Sequence, residues 1–446
     1  MRRFIIEQSK ADLTSHAGLG LIGMALNERT SLGAEAKAAA PARVDAIPHA
    51  DVLKSYISLW CLGKSDFEAV NGLRNDEYFA ESLGIAQVPS EGTLRQRMDA
   101  HAEAFLPVVQ EAGIHFLERT GARITPLDNG FVSLDADVTP FDNSGTKKEG
   151  VSYTYKGMDG YAPMAAYLGQ EGYCLELELR EGSQHCQKDT PEFLRRVLQQ
   201  ARRLTDQPIL LRLDSGNDAI ENIAVVFEHN DQHGDDMPVH YLIKWNPRQA
   251  DLQYWLAYAE AHGEWSEPRR GKRVALFTVT EWRTYKGYEY PVYRVMRVTE
   301  RSIDKHGQAL LLPDIEIEGW WTSLLRDEEE IIRLYADHAT SEQYHSELKT
   351  DLDIERLPSG KFATNALVLA CAQVAYNILR WIGQNGLLGR DAPLRHKAKR
   401  RRIRTVMQEL MYLAARLIRT GRRLKLVFGF SCLVVPIFRR LYLRLA

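Results

Sequence analysis

The sequence is poor in cysteine and lacks the pairing pattern of a disulfide-stapled or zinc-binding protein. Its 446 residues include five scattered cysteines without a CxxC pair, namely Cys61, Cys174, Cys186, Cys371 and Cys432. This usage indicates a reducing compartment. The opening residues MRRFIIEQSK contain too short an apolar run for a signal peptide. We therefore expect a cytoplasmic protein.

Two apolar stretches are too short to cross a membrane. LGLIGMAL near residue 20 and LVFGFSCLVVPIF near residue 430 fall below the roughly 18 residues that a spanning helix needs. We expect both to be buried core elements, and we expect no membrane partner. There is also no internal repeat and no low-complexity tract. The 45% apolar and 26% charged residues are ordinary for a globular protein of two or three domains.

The net charge of −2 hides a strong asymmetry along the chain. Residues 390–446 carry 16 Lys or Arg and two acids, so the remaining residues sum to −16. The densest part is RHKAKRRRIR (Arg395–Arg404), which includes Arg400, Arg401 and Arg402. Such a run is suited to contact nucleic-acid phosphates. The alternative is a solvated basic face or a solubility tail.

Residues 1–125 show apolar positions at helical spacing, which predicts a helical N-terminal domain. PSEGTLRQRM (Pro89–Met98) has Ser and Thr start signals and carries Arg95 and Arg97, so it predicts a short helix. A DNA-binding domain of helix-turn-helix type and a plain packing bundle both fit this pattern.

From about residue 130 the pattern changes to that of an α/β domain. GFVSLDADVTPFD alternates, with Asp135 and Asp137 on one face of a strand. A hairpin around Gln170–Gly172, an amphipathic helix and the buried strand PILLRLDSG, which ends at Asp214, follow. The pattern predicts a mixed sheet flanked by helices over residues 126–386, with a β-rich insertion at 247–326. A basic, mainly helical region is predicted for 387–446.

The segment YADHATSEQYHSELK carries Tyr335, His338, Glu342 and Lys349. On an α-helix their spacing brings these side chains onto one face. If Glu342 meets the strand aspartates, three carboxylates converge and need cations to stay ionised. Hard oxygen ligands favour Mg²⁺ or Mn²⁺, and two such ions can promote phosphodiester cleavage.

This segment resembles the Y-R-E-K signature of bacterial insertion-sequence transposases of the DDE class. Tyr335, Glu342 and Lys349 stand at matching places, and D-V-T (Asp137–Thr139), L-D-S-G (Leu213–Gly216), a β-rich insertion and the Glu segment follow in the same order. The resemblance implies a ribonuclease-H-like catalytic domain. It also implies a Mg²⁺-dependent enzyme that binds inverted-repeat ends and joins a freed 3′-hydroxyl to target DNA, working as a homodimer.

Carried over by position, the catalytic and metal-binding triad is Asp137, Asp214 and Glu342. Thr139 favours Asp137 over Asp135, because in this group a Thr typically follows two residues after the first acid. Asp135 is the reserve candidate, since strand alternation places both on one face.

The resemblance also implies that Tyr335 and Lys349 hold DNA phosphates near the cut. A half-buried aromatic and a solvated Lys are the ordinary alternatives. His338 departs from the pattern, which has a permanently charged Arg at this place. Either His338 still contacts phosphate, or Arg333 or the basic tail supplies that contact.

Trp282, Trp320 and Trp321 lie in or beside the strands of the insertion. Relatives use such an aromatic to stack on a flipped base, whereas a Trp on a sheet is otherwise core. Two further functions stay open: a ribonuclease-H-like nuclease or resolvase that cuts without joining, and a catalytically silent DNA-binding descendant.

Overall fold

In the computed structural model, a nine-stranded mixed sheet and a body of helices meet at one long helix, Phe362–Gly386. The structure describes residues 3–40, 46–234, 237–248, 250–304, 306–389, 392, 398–421 and 423–446. All five cysteines are free. The mixed α/β architecture predicted from the sequence is confirmed.

The α-helices of the described residues begin where the sequence offers start signals. Asp76, Ser90, Asp251 and Asp327 each accept a backbone N–H at a helix start. The helices are α1 (Leu19–Glu28), α2 (Leu32–Ala39), α3 (His49–Cys61), α4 (Glu77–Leu83), α5 (Glu91–Arg119), α6 (Thr190–Leu204), α7 (Ile220–His233), α8 (Leu252–His262), α9 (Glu328–Ala336), α10 (Thr340–Ser346), α11 (Phe362–Gly386), α12 (Ile403–Val406) and α13 (Val435–Leu445).

The strands of the described residues form three sheets. They are β1 (Leu13–Thr14), β2 (Val132–Val138), β3 (Phe141–Asp142), β4 (Ser152–Tyr153), β5 (Asp159–Tyr161), β6 (Met164–Leu168), β7 (Tyr173–Glu178), β8 (Ile209–Leu213), β9 (Val239–Lys244), β10 (Glu264–Arg269), β11 (Lys272–Tyr285), β12 (Tyr288–Ile303), β13 (Ala309–Thr322), β14 (Ala415–Thr420) and β15 (Arg423–Phe428). The small sheet β3-β5-β4 was not predicted.

The large sheet has the order β10-β11-β12-β13-β9-β8-β2-β6-β7. Strands β2, β8 and β9 run parallel, and the other pairs are antiparallel. Helices α6 and α7 provide the crossovers into β8 and β9 that parallel pairing requires. Strand β8 is buried along its whole length, as expected for a strand covered on both faces.

The insertion continues this sheet instead of forming a separate unit. Strand β13 pairs with β9, with Trp320 opposite Lys244, so the four insertion strands add to the edge of the parallel part. Strands β10 to β13 lie within residues 247–326, where a β-rich insertion was predicted; α8 in the same range was not predicted.

The body of helices brings together residues from both ends of the chain. Strand β1 pairs with β14, and Ala17 donates its backbone N–H to the Leu413 carbonyl at 2.9 Å. The predicted short helix at 89–98 is the start of the 29-residue helix α5, which is kinked at His101. Helix α5 packs along α11, so it has a structural role whether or not it also binds DNA.

Helix α11 is long and apolar enough to cross a membrane, but 83% of its apolar window is buried inside the protein. Of the two shorter apolar stretches, the one in α1 is buried as predicted. The prediction was wrong for part of the other, because Phe430 and Leu433 are exposed beside the β14–β15 hairpin. The mainly helical prediction for the C-terminal region missed this hairpin.

Candidate active site

Asp137 and Asp214 lie side by side at the carboxyl ends of adjacent strands. In the parallel pairing of β2 and β8, Ala136 is opposite Leu213, so the following residues, Asp137 and Asp214, are level. Neighbouring strands are about 4.8 Å apart. The carboxyl ends of parallel strands are the usual place for a binding site in an α/β sheet. The parallel register of these two strands therefore brings the two acids together.

Asp135 lies on the same face as Asp137 but has a different environment. Arg212, opposite Asp135 in the register, donates from Nε to Oδ1 at 2.6 Å and from Nη2 to Oδ2 at 2.7 Å. His338 donates from Nδ1 to Oδ1 at 2.8 Å. Burial opposes ionisation of Asp135, but the Arg212 charge and the His338 hydrogen bond hold its pKa below the ordinary value. Its carboxylate is thus committed to protein partners.

The segment that carries Glu342 is helical but is not one regular α-helix. Helix α9 passes through a 3₁₀ turn (Asp337–Ala339) into α10 and then into a π-helical turn (Glu347–Asp351). The prediction that these side chains share one face of a single α-helix is therefore wrong, because each change of winding rotates the side chains that follow. Arg212 fixes the segment to the sheet by donating from Nη1 to the Leu334 carbonyl at 2.8 Å.

Negative charge accumulates around Asp137. Burial raises the pKa of Asp137 to about 7, with a further contribution from Asp214 and a smaller one from Glu342. His338 and the Val138 backbone N–H, which donates to Oδ1 at 2.7 Å, act in the opposite direction. Among the described residues, no three His, Cys, Asp or Glu side chains form a ready-made metal-binding cluster. Asp137 and Asp214 are adjacent, whereas Glu342 is exposed on α10 and raises the pKa of Asp137 through its charge.

Tyr335 and Lys349 lie near these acids. Burial, together with the charges of Asp214 and Asp137, raises the pKa of the Tyr335 phenol. Lys349 donates from Nζ to the Pro140 carbonyl at 2.5 Å, just beyond the end of β2, and its pKa is lowered mainly by burial. Both side chains are half-buried.

His338, which stands where the resemblance has an Arg, is buried and bonded to the protein. Its ring is only 7% exposed, and its Nδ1 is bonded to Asp135. In this conformation the ring seats the helical segment on the sheet and offers little surface to a DNA phosphate. Arg333, the alternative source of that contact, is exposed on α9.

The described part of the basic arm packs against the Glu342 segment. Arg400 lies over the Tyr344 ring at 4.5 Å and donates from Nη2 to Gln343 at 2.5 Å. Arg402 pairs with Asp351 at 3.0 Å. A groove of about 480 Å³ separates these arginines from Glu342. Arg401 donates to the Leu387 carbonyl at 3.0 Å, and positions 395–397 of the arm lie outside the described residues.

The structure separates the three tryptophans. Trp320 and Trp321 are 2% and 3% exposed, and their rings pack against Lys244 and Arg294 respectively. Trp282 is 67% exposed on β11, near its hairpin with β12. Of the three, Trp282 is therefore the one with a ring face accessible to a base.

The sequence reasoning missed three residues at this site. Arg212 was identifiable, because an Arg inside the buried run PILLRLDSG demands a buried acidic partner. His345 lies one helical turn after Glu342, and its Nε2 is 3.8 Å from Oδ2 of Asp137. No comparable signal marked Tyr155, because the turn between β4 and β5 that carries it belongs to the small sheet, which was not predicted.

Tyr155 borders a cleft of about 710 Å³ beside Asp214. Its ring is exposed, but its hydroxyl turns inwards and donates to the Val138 carbonyl at 3.4 Å. Partial burial, together with the charges of Asp137 and Asp214, raises its pKa. Arg248 and Asn246 line the same cleft. The cleft therefore gives access to Asp214 from this side.

Comparison with known proteins identifies the family. The family model described as Transposase DDE domain group 1 matches residues 5–446. No curated protein sequence matches the chain. Among solved structures, the chain is similar to a piggyBac transposase synaptic complex with hairpin DNA, with 9% identity, a TM-score of 0.39 and coverage of 98% of this chain and 82% of that chain. The bacterial source and the Y-R-E-K subgroup stay predictions. Because the family model spans nearly the whole sequence, the chain belongs to the DDE transposase family, as the sequence predicted.

Proposed function

We propose that this protein binds and cuts the DNA ends of its element with Asp137, Asp214 and Glu342 as catalytic acids. The observation that carries the proposal is the level position of Asp137 and Asp214 at the ends of two adjacent parallel strands. The charge of Glu342 acts on the same carboxylate. Repelling acids in a buried site are expected where function requires a bound cation.

The donor set fits Mg²⁺ or Mn²⁺. All three groups are carboxylates, and hard oxygen ligands suit these ions. Burial is the main cause of the raised pKa of Asp137, and the charges of Asp214 and Glu342 add to it; a bound divalent ion would favour the ionised carboxylate. Held by Asp137, Asp214 and Glu342, two such ions would activate a water or a 3′-hydroxyl and stabilise the leaving oxygen of a phosphodiester.

The residues beneath the acids give the site its rigidity. The Arg212 guanidinium joins β8 to β2 through Asp135 and to the helical segment through the Leu334 carbonyl. His338 adds a second link between that segment and Asp135. We infer that this buried cluster keeps the two aspartates aligned and holds the Glu342 segment over them, which is the support that a precise active site needs.

We propose that the DNA backbone lies along the groove between Glu342 and the basic arm. Ser346, Lys399, Arg400 and Arg402 line that groove, so a phosphate bound there would be close to an active-site acid. Cationic side chains at this place neutralise phosphates without reading sequence. Tyr335, Lys349 and Arg401 are proposed as further phosphate contacts.

Trp282 is the proposed base-stacking residue. It is the most exposed of the three candidate tryptophans and lies on the long β11–β12 hairpin. Stacking on an aromatic ring contributes about 1–3 kcal/mol per base, which is enough to stabilise a distorted DNA end. Joining two ends in one event requires two active sites, so we propose a homodimer in the DNA complex.

The experiment uses DNA from both sides of the coding region as the substrate. We expect the purified protein with Mg²⁺ to cut this DNA at short inverted repeats and to join the 3′-hydroxyl ends to a plasmid. Cutting without joined products would favour the nuclease or resolvase alternative. Binding without cutting, in Mg²⁺ and in Mn²⁺, would favour the silent descendant and contradict the proposal.

A further inference from the structure

His345 is a buried histidine whose ring has one satisfied and one unsatisfied nitrogen. It lies on α10, three residues after Glu342, and is only 4% exposed. Its Nε2 makes no hydrogen bond within the described part of the chain and faces Oδ2 of Asp137 at 3.8 Å. A buried polar atom without a hydrogen-bond partner destabilises the folded protein, which points to a function for Nε2.

The opposite side of the ring determines which nitrogen carries the proton. The Tyr167 hydroxyl lies 3.2 Å from Nδ1, and Tyr167 is itself buried. A buried phenol is satisfied when it donates its proton, and His345 is the acceptor that the structure provides. This assignment follows from the hydrogen-bond network and makes Nδ1 the acceptor and Nε2 the N–H donor.

The His345 ring is buried, and burial favours the neutral form of an imidazole. A neutral imidazole with Nε2–H can donate to a carboxylate without adding a counter-charge to the site. It therefore does not compete with a divalent cation for the negative charge of Asp137.

We propose that His345 is a positioning residue, which directs its Nε2–H at Oδ2 of Asp137 and orients that carboxylate for a divalent metal ion. This inference rests on the proposed function. The Val138 backbone N–H already holds Oδ1 at 2.7 Å. Two N–H donors would leave the remaining lone pairs of the carboxylate for metal. The 3.8 Å separation is longer than a hydrogen bond, so the proposal requires Nε2 and Oδ2 to move closer together when the metal ion binds.

Mn²⁺ titration of the DNA-free, full-length protein, followed by electron paramagnetic resonance, tests this role. His345→Phe keeps an aromatic ring but removes the donor, and we expect Mn²⁺ affinity to fall about 10–100-fold, as for other residues that orient metal ligands. Tyr167→Phe should weaken Mn²⁺ binding less, because it removes the hydroxyl that fixes the His345 tautomer but leaves the His345 ring in place. His49→Phe is the matched control, since His49 is also buried with unbonded ring nitrogens but lies on α3.

A conservative pair of variants keeps the test decisive if His345→Phe does not fold. The amide nitrogen of Gln can occupy the place of Nε2, whereas that of Asn is too short to reach it. We expect His345→Gln to bind Mn²⁺ within about threefold of wild type and His345→Asn to bind at least tenfold more weakly. Equal Mn²⁺ affinities for the two variants would overturn the proposal.

DNA cleavage supplies the second measurement. For His345→Asn we expect a lower cleavage rate at limiting Mg²⁺, recovery at high Mg²⁺, and unchanged DNA affinity. A purely structural role would not give recovery by metal. Loss of Mn²⁺ binding in Asp137→Asn should accompany these results. Wild-type Mn²⁺ affinity in Asp137→Asn would instead contradict the proposed function itself, whatever the His345 variants show.

Discussion

Arg212 binds both carboxylate oxygens of Asp135, with Nε–Oδ1 and Nη2–Oδ2 distances of 2.6 Å and 2.7 Å. This pair distinguishes two aspartates that are only two residues apart on one strand face. The pKa of Asp135 is lowered by its cationic partners despite burial, whereas that of Asp137 is raised by burial and by Asp214. This difference supports Asp137 over Asp135 as the proposed catalytic acid.

The two aspartates should respond differently to the same substitution. Asp135→Asn leaves the buried Arg212 charge without its partner, and removing one member of a buried ion pair costs about 3–5 kcal/mol. Asp137→Asn removes a repelled charge and should not lower the free energy of unfolding. Urea denaturation of both variants without metal measures the difference. Equal losses of stability would show that Asp135 is not the structural member.

Asp137 should make the metal-free protein less stable as the pH rises. Its folded-state pKa, about 7, lies above the ordinary value of 3.8, so between these values the folded protein binds the proton more tightly than the unfolded chain. The free energy of unfolding therefore falls as the pH rises through this window. In EDTA, Asp137→Asn should melt about 2–4 °C above wild type at pH 8, with no such difference near pH 4. A pH-independent difference would contradict this assignment.

Glu347 should control the docking of the basic arm. Its Oε2 accepts from Arg380 at 2.7 Å and from the Ile403 backbone N–H at 3.0 Å. Glu347→Gln leaves the buried Arg380 without an anionic partner, which should cost about 3–5 kcal/mol. It should also expose the chain near Ile403 to limited proteolysis. The exposed Glu329→Gln is the control, and identical digestion patterns for the two variants would contradict the prediction.

Substitution of Trp282 should affect DNA binding, whereas substitution of Trp320 should affect stability. Trp282→Ala should change the free energy of unfolding by less than about 0.5 kcal/mol, because the ring is exposed. Trp320→Ala should cost about 3–5 kcal/mol, because it leaves a cavity in the core. If Trp282 stacks on a base, Trp282→Ala also weakens binding of the element ends by about 1–3 kcal/mol. Unchanged end binding would remove Trp282 from the DNA contacts.

Local patterns were sufficient to predict most elements of the catalytic sheet. Alternation identified β2, the continuous apolar run identified β8, and the turn around Gln170–Gly172 identified the β6–β7 hairpin. The level position of Asp137 and Asp214 depends on parallel register, which is a long-range property. Periodicity alone could therefore nominate both acids but could not show that they are adjacent.

Other features depend on tertiary contacts that one sequence does not display. The change from α to 3₁₀ winding before Glu342 occurs where Arg212 and His338 fix the segment to the sheet, and the π turn follows at Glu347–Asp351. The β14–β15 hairpin pairs with β1 from the opposite end of the chain. The role of His338 could not be predicted either, because its partner, Asp135, is distant in sequence.

Cleavage of the element ends by acid-site variants tests the central claim most directly. Asp214→Asn and Glu342→Gln should each abolish Mg²⁺-dependent cleavage of DNA from the flanks of the coding region while keeping wild-type DNA affinity and folding. Asp337→Asn, which alters an exposed acid in the Glu342 segment, should cleave normally. Wild-type cleavage by Asp214→Asn would contradict the account, because the paired aspartates would then not form the active site.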